Sequence, residues 1–226
     1  MNQSTTAFSP SESRTKKLVL MAILAAIAYL CTLVFRIPVM GFLTYEPKDV
    51  VILIGAFLLG PMEGVMISGI VSLIEMVTIS STGPIGMIMN FLATCTFILP
   101  AAFLYRKKRS PKSAVVGLIF GIITMTGAML LWNYLVTPYY LLTPRETVKA
   151  MLLPVFLPFN LIKGGINAAL TLLIYKPVAT ILRKTGMISP NSQKDLEKDK
   201  KRFIYLFAAL LLLTCVVALV FCQVFS

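Results

Sequence analysis

The chain has 226 residues, 58% of them hydrophobic and 13% charged, with a mean hydropathy of +0.86. A water-soluble domain of this length cannot bury that much apolar surface, so the solvent is a bilayer. The net charge of +12 would point to nucleic acid in a soluble protein, but here the basic residues fill the gaps between apolar runs, as in cytoplasmic loops facing anionic lipid.

Histidine is absent, which removes the commonest metal ligand and the commonest general base. Cys31, Cys95, Cys215 and Cys222 lie inside apolar runs without CxxC spacing and read as small hydrophobes, not as disulfide or metal-binding residues. No metal site is expected. Met1 to Ser13 is polar and no cleavage site follows, so no signal peptide is expected.

Residues 1–17 read as a polar cytoplasmic tail ending in Arg14, Lys16 and Lys17. Leu18 to Phe35 is the first span. Its Ala22-x-x-x-Ala26 has the spacing of small residues that lets two helices meet at short range. Arg36 to Lys48 breaks the helix with Pro38, Gly41 and Pro47. It mixes apolar side chains with Thr44, Tyr45 and Glu46, the composition of an ordered loop or lid.

Val50 to Ile79 would be roughly 45 Å long as one helix, against a bilayer core of about 30 Å, and Gly60-Pro61 interrupts it. One kinked span and two short spans are both compatible with the length, and charge decides between them. Two spans put the three basic residues of the tail, the five of Arg106–Lys112 and the eight of Lys176–Arg202 on one side. Arg36, Lys48, Arg145 and Lys149 then lie opposite. A single span would divide the basic loops between the two sides, so the positive-inside rule selects two spans and a cytoplasmic N-terminus. Glu63 then reads as solvated at the cytoplasmic turn. Glu75 falls near the outer end of the third span, as an interface carboxylate or a partner for Lys or Arg.

Ser80 to Gly86 reads as a turn-rich outer loop, Met87 to Tyr105 as the fourth span and Arg106 to Lys112 as a cytoplasmic loop. Ser113 to Val136 is the fifth span, closing on Leu131-Trp132-Asn133-Tyr134, with Tyr139-Tyr140 beyond. Those aromatics fit an interfacial belt and, with Asn133 among them, equally fit one wall of a pocket. Pro138 to Met151 is an outer loop. The sixth span runs from Pro154 to about Lys184, residues 185–202 are a polar linker, and 203–226 holds a seventh apolar run without an ionisable residue. The fold class is therefore all-α: a polytopic membrane protein with a six-helix core over 18–184 and one added C-terminal helix.

The sixth span carries Lys163 roughly 13 Å beyond Pro154 at 1.5 Å per residue, too deep for a flanking charge. Asn160, Lys163 and Asn167 fall at i, i+3 and i+7 and share one helix face. Beside them, Gly164 and Gly165 admit a neighbouring helix or a flat ligand at short range. Two readings compete. In one, Lys163 snorkels to the interface while the asparagines bond between helices. In the other, an ammonium that is costly in hydrocarbon faces a binding pocket.

The chain holds no GxxxxGK[ST], HExxH or GxSxG motif, and Glu46, Asp49, Glu63 and Glu75 form no DxxxD-type cluster within one span. A small intramembrane enzyme without histidine or paired carboxylates is thus the poorer reading. Binding or transport follows better from a buried Lys and Asn facing an apolar cavity.

Four stretches carry a resemblance: Ala22-Ile-Leu-Ala-Ala26, Leu43-Thr-Tyr-Glu-Pro-Lys-Asp49, Gly83-Pro-Ile-Gly-Met-Ile-Met-Asn-Phe-Leu-Ala93 and Pro158-Phe-Asn-Leu-Ile-Lys-Gly164, with Asn133-Tyr134 as a fifth. Over roughly residues 18–184 the chain resembles the S components, the substrate-binding subunits, of energy-coupling factor (ECF) vitamin transporters, specifically the riboflavin type. The resemblance implies that Thr44, Asn133, Asn160 and Lys163 bond the ligand, with Asn90 nearby. It also implies that Ala22 and Ala26 face a membrane-embedded coupling subunit, which works with two ATP-binding subunits on other chains. Riboflavin is then the transported ligand and no cofactor is expected. Tyr45, Met87, Phe91, Trp132 and Phe159 are candidate walls for its flat ring. The setting implied is a bacterial cell membrane, with the vitamin captured outside and released inside. An S component for another flat heterocyclic vitamin is the alternative. The family core has six helices, so 203–225 departs from its pattern.

Overall fold

The computed structural model describes residues 10–40, 43–80, 82–108 and 111–184. The linker 185–202 and the apolar run 203–226 lie outside the described residues. In chain order the elements are α1 Pro10–Val34, β1 Ile37–Met40, β2 Leu43–Tyr45, α2 Lys48–Leu59, α3 Pro61–Thr78, α4 Gly83–Lys108, α5 Pro111–Leu135, α6 Thr137–Tyr140, α7 Arg145–Met151, a π turn over Leu152–Phe156, and α8 Leu157–Lys184. The apolar runs are helical because a segment in hydrocarbon must satisfy its own backbone hydrogen bonds.

Val50–Ile79 does break at Gly60-Pro61. Gly60 has φ +133°, a conformation open to glycine alone, and Pro61 takes the first position of α3, where its missing N–H costs nothing. The chain reverses there, so the run is two helices, but of the two spans that charge selected only α3 is long enough to cross a membrane. α2 has 12 residues and is about 18 Å long, short of a bilayer core, and its face from Ile52 to Ala56 is wholly buried. The other five, α1, α3, α4, α5 and the α7–α8 rod, are long and apolar enough to cross a membrane.

Three boundaries differ from the sequence expectation. α4 begins at Gly83, so the outer loop is shorter than Ser80–Gly86. Residues 138–151, read as a loop, are largely helical, and α7 runs through the π turn into α8. Pro154, read as a helix start, sits inside that wider turn, where its missing N–H and its ring are accommodated without ending the rod. Arg36–Lys48 contains an antiparallel hairpin, with Ile37 opposite Tyr45 and Pro38 opposite Thr44. The fold is otherwise all-α, as expected.

α4 is the axis of the packing. Every residue from Leu92 to Ala102 is buried, and α2, α3 and α5 pack around it. α5 meets α4 through Gly117-x-x-x-Gly121: a Cβ on Gly117 would stand 2.9 Å from the Ala101 carbonyl oxygen, and one on Gly121 would collide with the Phe97 carbonyl. With no water to expel, such close backbone contact supplies the dispersion energy that joins helices. Thr124 Oγ1 adds a 2.8 Å hydrogen bond to the Thr96 carbonyl across the same seam. The outward faces are apolar instead: Leu18, Val19, Ile23, Ile27 and Leu30 on α1, and Val116, Ile119, Phe120 and Ile123 on α5, are exposed. That is the inverse of a soluble surface.

Successive helices alternate direction, so the hairpin, the starts of α2, α4 and α8 and the ends of α1, α3 and α5 gather at one end. At the opposite end, Lys17 is paired with Glu63. Glu63 was expected to be solvated; it is half-buried, because the turn at Gly60 brings it against α1. Beside it, the Tyr105 and Tyr175 hydroxyls meet at 2.6 Å, and the Phe57 ring lies 4.6 Å from that of Tyr105.

Candidate functional site

At the hairpin end, apolar helices enclose a set of charges. Glu46, Lys48, Asp49, Glu75 and Lys163 are all buried, with Arg36 at the rim. Three carboxylates thus meet three cations. Lys48, first in α2, pairs with Glu46 at 2.8 Å and with Glu75, and Glu75 also accepts from Thr32 Oγ1 at 2.9 Å. Arg36 lies 3.5 Å from Glu46 and donates to the Ile79 carbonyl at 2.9 Å. Glu75 is therefore a lysine partner, one of its two sequence readings. Burial pushes the Glu46 carboxyl up, but the Lys48, Lys163 and Arg36 cations outweigh it and hold Glu46 below the usual carboxylate range.

Lys163 does not snorkel. It is 7% exposed, and its Nζ lies 3.7 Å from Asp49 Oδ2. Asp49 is fully buried in the first turn of α2, where the helix dipole also favours an anion. Its Oδ1 accepts from Thr94 Oγ1 at 2.7 Å and its Oδ2 from Asn167 Nδ2 at 3.2 Å. Asn167 Oδ1 in turn accepts from the Tyr45 hydroxyl at 2.9 Å. Burial, and then the Asp49 charge, raise the Tyr45 pKa, so its hydroxyl keeps the proton it donates. One chain of polar contacts thereby joins the hairpin, α2, α4 and α8.

The residues expected to bond a ligand lie toward this end and come from four elements, β2, α4, α5 and α8. Asn160 and Lys163 are buried on one face of α8, and Asn160 Nδ2 donates to the Phe156 carbonyl in the π turn at 2.7 Å. Asn133, near the end of α5, donates to the Met129 carbonyl at 2.7 Å and accepts from Thr137 Oγ1 at 2.8 Å. Each amide keeps unspent hydrogen-bonding capacity for a further partner. Thr44 is half-buried in β2. Asn90 and Met87 are half-buried one and two turns before Thr94, on the stripe of α4 that reaches Asp49.

Among the expected walls, Trp132 is buried and, with Met89, lines a crevice of about 10 Å³, room for roughly one water, together with Ile85, Gly86, Val136 and Thr137. Phe159 packs against the small cluster of Leu43, Val148 and Phe156 that seats the hairpin. Tyr45 is half-buried beneath the hairpin, and the Phe91 ring comes over Gly69 of α3. Gly164 fits against Ile122 and Met125 of α5, whereas Gly165 faces outward with nothing near it. Ala22 and Ala26 are exposed on one face of α1, beside the buried Ala25 and Ala28.

Sequence reasoning missed Asp49, Thr94 and the Lys48 pairs as parts of one cluster. The available signal was Lys48-Asp49 at the entry to an apolar run, where two ionisable residues side by side need partners once buried.

Residues 16–175 match the family model described as ECF transporter, substrate-specific component. The chain is 33% identical to the riboflavin transporter RibU of Staphylococcus aureus, over 76% of this chain and 94% of that protein. It is likewise 33% identical to the riboflavin transporter FmnP of Bacillus subtilis, over 72% of this chain and 91% of that one. Among solved structures, the S component of a bacterial ECF transporter superposes with a TM-score of 0.64 at 32% identity, covering 75% of this chain and 98% of that chain. An S component for biotin shares the fold, with a TM-score of 0.51 at 19% identity over 75% of this chain and 95% of that one.

Proposed function

The chain belongs to the substrate-specific components of ECF transporters, and on that premise we infer that it is the riboflavin-binding subunit of an ECF-type importer. The observation that carries the inference is its relatedness to riboflavin transporters along some three quarters of its length.

We assign the ligand site to the hairpin end. Thr44, Asn90, Asn133, Asn160 and Lys163 bond riboflavin there, and Tyr45, Met87, Phe91, Trp132 and Phe159 bound its ring. Supporting this, a neutral flavin offers a uracil-like edge that both donates and accepts, which amides match, and carbonyl and hydroxyl oxygens that an ammonium can serve. The net balance of charge around Lys163 also suits a neutral ligand. The crevice beside Trp132, about 10 Å³ between the start of α4 and the end of α5, is far too small for a tricyclic ring, so this end opens to admit the ligand, and the hairpin is the element we assign to that movement.

The basic residues at the opposite end, Lys16, Lys17, Arg106, Lys107, Lys108 and Lys112, support a cytoplasmic N-terminus and a site that opens outside. The exposed Ala22/Ala26 face of α1 meets the coupling subunit, which acts with two ATP-binding subunits. Residues 18–184 are the binding core. Identifying the small molecule that co-purifies tests the reading: a yellow preparation yielding riboflavin is expected, and a different heterocycle would overturn it.

A further inference from the structure

Lys163 is one member of an arrangement whose other members the ligand assignment leaves without a role. Its ammonium lies 3.7 Å from Asp49 Oδ2, close enough for ion pairing but longer than a direct hydrogen bond. All three of its protons therefore remain available to a ligand. Asp49 is 0% exposed, and each of its oxygens is engaged, Oδ1 by Thr94 of α4 and Oδ2 by Asn167 of α8. It has no free edge to offer a ligand. Of the neighbouring carboxylates, Glu75 is held by Lys48, while Glu46 pairs with Lys48 and Arg36 and feels the Lys163 charge without pairing with it directly.

We propose that Asp49 is the positioning residue for Lys163, fixing the ammonium's place and balancing its charge so that it serves a neutral ligand. This rests on the riboflavin site assigned above. The physical reason is the cost of an uncompensated ammonium between apolar helices, which is relieved by moving toward water or by a counter-charge. Asp49 supplies the counter-charge from a carboxylate clamped by three helices, so Lys163 stays in the site in the absence of ligand. Without it, the long lysine stem is free to swing toward solvent.

The test is a double-mutant cycle on the full-length chain, purified in detergent and titrated with riboflavin by fluorescence quenching. Asp49→Asn keeps the shape and the acceptor for Thr94 while removing the charge. Alone, it is expected to weaken riboflavin binding about 10-fold or more; placed on Lys163→Met, it should change affinity by less than about 3-fold, because its effect passes through the ammonium. An equal loss in both backgrounds means Asp49 supports the fold generally and overturns the proposal, while leaving the riboflavin assignment intact. Wild-type affinity in Lys163→Met overturns the site assignment itself, and this proposal with it. Should Asp49→Asn fail to give a folded protein, Thr94→Val loosens the carboxylate more gently. A loss of about 3-fold that vanishes on Lys163→Met supports the proposal, and a loss that persists there overturns it.

Discussion

The Tyr45 hydroxyl donates to Asn167 Oδ1 at 2.9 Å, tying the second strand of the hairpin to the middle of α8 across 122 residues of sequence. Leu43, two residues earlier, packs against Phe156 and Val148 on the same side. Among the described residues, the second strand is thus seated on α8 by this hydrogen bond and a small apolar cluster, a modest fastening for the cover proposed above.

Tyr45→Phe removes that hydrogen bond and keeps the ring. A neutral hydrogen bond contributes about 0.5–1.5 kcal/mol, so the cover should loosen by a factor of about 2 to 10. Stopped-flow measurement should show riboflavin leaving the variant faster by that factor. An unchanged dissociation rate would mean that the hairpin does not gate the site.

The seam between α4 and α5 makes a stability prediction away from the site. Gly121→Val places a branched side chain against the Phe97 carbonyl and must separate the two helices. Overpacking of this kind costs about 1–3 kcal/mol, read as a lower melting temperature in detergent. Gly127→Ala, on the same helix with open space around it, should leave the melting temperature unaltered.

Much of this was legible in the sequence because the bilayer makes its demands locally. Lengths of apolar runs, Gly60-Pro61 and the placement of basic loops are enough to set the helices and their alternation. Lys163 stands out for the same reason, as a charge where none is cheap. What was hidden depends on contacts between distant segments. Asp49 pairs with Lys163 across 114 residues, and Lys48-Asp49 at the head of an apolar run calls for buried partners without saying which they are. The hairpin was hidden differently: β1 is Ile-Pro-Val-Met and β2 only Leu-Thr-Tyr, too short for an alternating pattern, and Pro38 argues against a strand except at an edge. Pro154 misled as a helix start because a π turn, whose geometry has no sequence period, carries the rod through it.

The exposed alanines of α1 separate binding from transport. Ala22→Trp or Ala26→Trp puts a large ring where a partner helix would have to come close. Uptake of riboflavin by cells should be abolished, while the purified variants bind riboflavin as the wild type does. Parallel loss of binding and uptake would show that this face supports the site instead of a partner.

The central claim is that the buried face of α8 holds riboflavin, and Lys163 tests it most directly. Lys163→Met keeps much of the apolar stem and removes the ammonium. A hydrogen bond from a charged group is worth about 1.5–3 kcal/mol, so affinity should fall about 10- to 100-fold. Asn160→Ala, one turn away, should cost a comparable factor, and the two losses should combine to less than their product if both groups hold one edge of the ligand. The deciding measurement is a flavin fluorescence-quenching titration of wild type, Lys163→Met, Asn160→Ala and the double variant. A right-shifted curve for each single variant is the predicted result. A Lys163→Met curve that overlays the wild type would remove the riboflavin site from this helix.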